Sequence, residues 1–100
     1  MVSLSEPMVN VETIEAGTTK HTYRVRVTEG RSETVHEVTL AVRDLGRLAR
    51  EGESGESFIA RCFDFLLARE SKESILRHFD VTVIGRYFPE FEREIAKPGG

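Results

Sequence analysis

The chain has 100 residues, a net charge of −3, 39% hydrophobic and 31% charged side chains, and one cysteine. That length holds one domain with a modest core. The mild acidity speaks against a dedicated nucleic-acid binder, and the single cysteine excludes an internal disulfide framework and a cysteine-rich zinc site. No segment approaches the ~20 apolar residues of a membrane span, and the start MVSLSEPMVNVE lacks the basic and apolar runs of a signal peptide. Both observations point to a cytoplasmic protein.

Residues 1–7 are polar with a proline and read as a flexible tail; 97–100 read as a second one. Between them, 8–96 is expected to form a single α+β domain. Met8 to Glu15 alternates loosely through Val9, Val11 and Thr13, which offers a third strand at a sheet edge. His21 to Thr28 is clearer, because Tyr23, Val25 and Val27 alternate with Thr22, Arg24, Arg26 and Thr28. Glu29 to Glu33 supplies turn chemistry around Gly30, and Thr34 to Val42 repeats the alternation with Val38, Leu40 and Val42 on one face. Matching the apolar faces in this hairpin restricts its register, setting Glu37 opposite either Arg24 or Arg26.

Asp44 is positioned to cap a short helix over 44–50, weakened by Gly46. The strongest helical signal follows at Ser57 to Glu70. At about 3.6 residues per turn, Phe58, Ile59, Cys62, Phe63, Phe65, Leu66 and Leu67 fall on one broad arc. Ser54 or Ser57 is the expected cap of a helix over 55–69. The next turn brings Arg69 and Glu70 into the apolar arc, so the helix should stop or leave the core there. Ser71 then reads as the cap of a helix over 72–79 with Ile75, Leu76 and Phe79 inward. Asp80 to Phe88 fits either a strand or a helix, and the helix is favoured because its stripe continues the preceding one. Pro89 suits a first helical position, with Phe91 and Ile95 on one face of a run reaching 95.

The expected fold is therefore an antiparallel β-hairpin, with an optional third strand, packed against a C-terminal group of three to four helices. In its latter part, FDFLLARE with ILRHFDVTVIGRYFPEFE, the chain resembles a family of short bacterial proteins to which no function is attached. The resemblance covers about Phe58 to Ile95 and implies a compact single domain, without catalytic or binding residues to carry over.

No chemical signature stands out. His21, His36 and His78 lack metal-pair spacing, Cys62 sits mid-stripe as a small buried hydrophobe, and EGESGE at 51–56 would repel phosphate. No catalytic, cofactor or metal site is expected. The favoured reading is a non-enzymatic protein–protein interaction or regulatory module, acting on an unknown protein partner or as a homodimer. Its candidate surface is Arg86, Tyr87, Phe88 and Phe91, drawn from the aromatic-rich second half. The alternative is nucleic-acid binding, through the basic hairpin residues Arg24, Arg26 and Arg31 or through Thr82 and Arg86 in a helix-turn-helix over 71–88. The hairpin version lacks the exposed aromatics that base stacking needs.

Overall fold

The computed structural model describes residues 6–96, so most of the two expected tails lies outside the described residues. The chain forms an α+β fold with one mixed sheet in the order β1-β2-β3-β4. Strands β1 (Met8–Ala16), β2 (Lys20–Glu29) and β3 (Ser32–Ala41) make an antiparallel meander, and the short β4 (His78–Asp80) joins β3 in parallel. Among the described residues four helices accompany it: α1 (Val42–Leu48), α2 (Gly55–Leu67), α3 (Thr82–Tyr87) and α4 (Phe91–Ile95).

The β2–β3 hairpin forms because two alternating apolar runs meet across a turn of two residues. Gly30 has φ 62° and Arg31 does not share that sign, the pattern of a type II′ turn whose twist matches the strands. The register sets Glu37 opposite Arg24, one of the two arrangements anticipated. Tyr23, Val25 and Val27 then face Val38, His36 and Thr34 on the buried side. β1 supplies the third strand, with Val9 and Val11 packed against the core.

α2 crosses this buried face with Phe58, Ile59, Cys62, Phe63, Phe65 and Leu66 inward, as its periodicity required. The Ser54 side chain accepts the Ser57 backbone N–H at 3.1 Å and caps the helix. At its start, Gly55 lies so close to the Tyr23 ring that a Cβ there would stand 1.9 Å from the hydroxyl oxygen. Glu53 turns back from the preceding loop to Arg61, which bonds it at 2.8 Å through two nitrogens and also donates to the Ile95 carbonyl at 2.8 Å. That clamp joins the loop, α2 and the end of α4.

Four expectations change. Val42 is not an inward strand residue: it opens α1 and is exposed, its N–H bonded to the Thr19 carbonyl. Asp44 does not cap α1 but lies inside it, bonded to Arg47, which also reaches Glu92 and so ties α1 to α4. The helix expected over 72–79 is a single 3-10 turn at Lys72–Ser74 followed by β4. The cause is the open edge of β3, whose backbone groups need partners. Glu37 N–H bonds the Arg77 carbonyl at 2.7 Å, and Val81 N–H bonds the Thr39 carbonyl at 3.0 Å. Finally, 81–95 is not one helix. Pro89 withholds a backbone donor and pushes Phe88 out of the helical region, to φ −130° and ψ 90°, so α3 ends and α4 starts anew. With a strand in place of its first helix, 71–88 forms no helix-turn-helix.

Candidate functional site

The inner layer leaves a groove of about 340 Å³ where the end of α2 meets β4 and α3. Its floor is built from Leu66, Ile75 and Ile84, all buried. Phe79, Val83 and Phe88 form its sides, Phe88 leaning edge-on against Phe65 with ring centroids 5.9 Å apart. Two large side chains stand on the rim with much of their surface in water, Leu76 at 46% and Tyr87 at 65% exposure.

The rim is held in place from beneath. The Leu76 carbonyl accepts a hydrogen bond of 2.8 Å from His36 Nδ1, and a carbonyl can only accept, so Nδ1 carries the proton. The neutral ring then accepts the Thr34 hydroxyl at Nε2, also at 2.8 Å. The imidazole is fully buried against the Phe63 ring, and burial lowers its pKa below the ordinary histidine value. On the other side, Asp80 accepts hydrogen bonds from the Thr39 hydroxyl at 2.6 Å and from the Thr82 hydroxyl and N–H at 2.7 and 3.1 Å. These fix β4 to β3 and set the start of α3. Their combined effect outweighs burial and lowers the Asp80 pKa.

Glu70 is the one carboxylate in the groove lining. Burial raises its pKa, and its side chain has no hydrogen-bond or ion-pair partner among the described residues. The neighbouring cation does not serve it: the Arg69 guanidinium lies 3.5 Å from the centre of the Phe65 ring and bonds Glu90 at 3.2 Å.

Of the surface expected from sequence, Tyr87 and Phe88 line the groove, and Arg86 is exposed beside them on α3. Phe91 does not belong to it. It is fully buried with its ring 5.1 Å from that of Phe65, because the break at Pro89 turns α4 back into the core. Leu76 and Glu70 were missed. Leu76 was placed inward by the helix assumed for 72–79, whereas for Glu70 the signal was visible, since it continues the apolar arc of α2.

The basic residues of the alternative reading do not converge. Arg24 pairs with Glu12 at 3.3 Å and Arg26 with Glu33 at 2.9 Å, both on the uncovered face of the sheet. Arg31 sits in the exposed β2–β3 turn, and the Thr82 hydroxyl is committed to Asp80. Cys62 is buried, with its pKa pushed up by desolvation. His78 Nε2 lies 3.3 Å from a Glu37 carboxylate oxygen, on the exposed surface where β4 meets β3.

β1 forms the outer edge of the sheet, with Met8 and Ile14 exposed. A register shift between Thr13 and Glu15 disrupts that edge, which blunts it as a template for another strand. Among the described residues, no helix is long and apolar enough to cross a membrane. No family model matches the sequence, and no curated protein or solved structure matches it either.

Proposed function

We propose that this chain is a protein-interaction module whose groove between α2, β4 and α3 receives an apolar segment of a partner protein in the cytoplasm. The observation that carries the reading is the rim: Leu76 and Tyr87 project large apolar surfaces into water beside a concave apolar floor. The hydrogen bonds from His36 to the Leu76 carbonyl and from the Thr39 hydroxyl to Asp80 hold both sides of that groove without occupying it. Covering the two rim side chains would contribute on the order of 2 kcal/mol, making them central to a small interface.

Nucleic-acid binding ranks second. Arg24 and Arg26 already face acids, so phosphate would have to displace Glu12 and Glu33.

Site-specific photo-crosslinking tests the reading. A benzophenone side chain at position 87 should capture a discrete protein in cells, whereas the same group at Val35 on the uncovered sheet face should not. Equal labelling from both positions, or nuclease-sensitive labelling, would count against the groove.

A further inference from the structure

Glu70 stands where a carboxylate has little reason to be. It follows the C-terminal end of α2, where the helix dipole disfavours an anion, and it continues that helix's apolar arc into the groove wall. Both positions cost stability. Three acids near the groove are compensated: Glu73 by Lys72 at 2.7 Å, Glu90 by Arg69, and Asp80 by two threonines. Glu70 has no such partner among the described residues.

We infer that Glu70 selects the occupant of the groove, and that this occupant is an amphipathic peptide segment carrying a lysine or arginine among its apolar side chains. This rests on the groove being a protein-docking site. The apolar residues of the segment cover Leu76 and Tyr87, and its cation meets the Glu70 carboxylate close to the carbonyl end of α2. In a site that excludes water, such a pair is strengthened, and a segment presenting an acid at the same point meets repulsion. Arg86, exposed on α3, flanks the groove without lining it, and disfavours a uniformly basic segment. One cation within an apolar stripe therefore fits better than a basic tract.

The test uses synthetic helical peptides with one leucine pattern and lysine, glutamine or glutamate at a single interior position, titrated into the whole protein and followed by amide NMR shifts. With the wild type, shifts should concentrate at Leu76, Ile84 and Tyr87, and the lysine peptide should bind about tenfold more tightly than the glutamine one. In Glu70→Gln that ratio should fall close to one. The variant should also melt at a higher temperature, because an uncompensated carboxylate has been removed. If all peptides shift the groove residues equally in the wild type, the cation preference is wrong and the docking groove stands. If no peptide shifts those residues, the groove reading fails and this inference with it. If dilution of the protein alone moves the same signals, the occupant is a second copy of the chain and the inference is overturned.

Discussion

His36 on β3 holds the backbone of Leu76, forty residues further on, through a buried hydrogen bond of 2.8 Å to its carbonyl. A core side chain thus sets the position of a residue at the groove rim. Because burial lowers the His36 pKa, the unfolded chain binds its proton more readily than the folded one. Its contribution to stability is complete above the unfolded value of about 6.5 and declines as pH falls below that toward the folded value. Thermal melts between about pH 8 and about pH 5 should show this decline, and His36→Leu should flatten it while lowering stability by about 1–3 kcal/mol at the upper pH.

Glu53 contributes to the acid limb at lower pH. Its bond to Arg61 holds its pKa down to about 2, and its side chain is only 7% exposed. Stability from this pair is fully present above the unfolded carboxylate range and is lost as pH falls toward about 2. Glu53→Gln should destabilise the protein near neutral pH by on the order of 2–3 kcal/mol and shift the acid unfolding midpoint. Chemical denaturation at two pH values reads both effects.

Close packing at Gly55 makes a third prediction. A methyl group there collides with the Tyr23 hydroxyl, so Gly55→Ala should cost about 1–3 kcal/mol despite its better helix propensity. Tyr23→Phe in the same chain should restore part of the loss by removing the oxygen, which a double-mutant cycle would detect.

Phe91 and Tyr87 separate core from surface. Phe91→Ala should cost about 3–5 kcal/mol, since the ring is fully buried against Phe65. Tyr87→Ala should change stability by only about 0.5 kcal/mol, because most of its side chain is already in water. Equilibrium unfolding of the two variants distinguishes these roles.

The parts legible in the sequence were those whose burial pattern is periodic and local. Tyr23, Val25 and Val27 announced β2, and the arc from Phe58 to Leu66 announced α2 together with its Ser54 cap. Residues 72–80 were not legible. Ile75 and Phe79 stand at helical spacing by coincidence, and β4 is too short to alternate; it exists because β3 offers an unpaired edge far away in sequence. Phe91 is expected at the surface from the abundance of aromatics in the second half, and the break at Pro89 turns it into the core instead. Leu76 reaches the groove through these non-local events, whereas Tyr87 and Phe88 reach it from the local helix α3.

The most direct measurement is the affinity of the leucine–lysine peptide for the wild type and for Leu76→Asp, with the melting temperature of each recorded alongside. Leu76 is half in water and its anchoring carbonyl survives the substitution, so the melting temperature should stay within about 4 °C. The affinity should fall by at least about tenfold, because an acid would then sit on the apolar rim. A folded Leu76→Asp protein that binds the peptide as tightly as the wild type would contradict the assignment of this groove as the docking site.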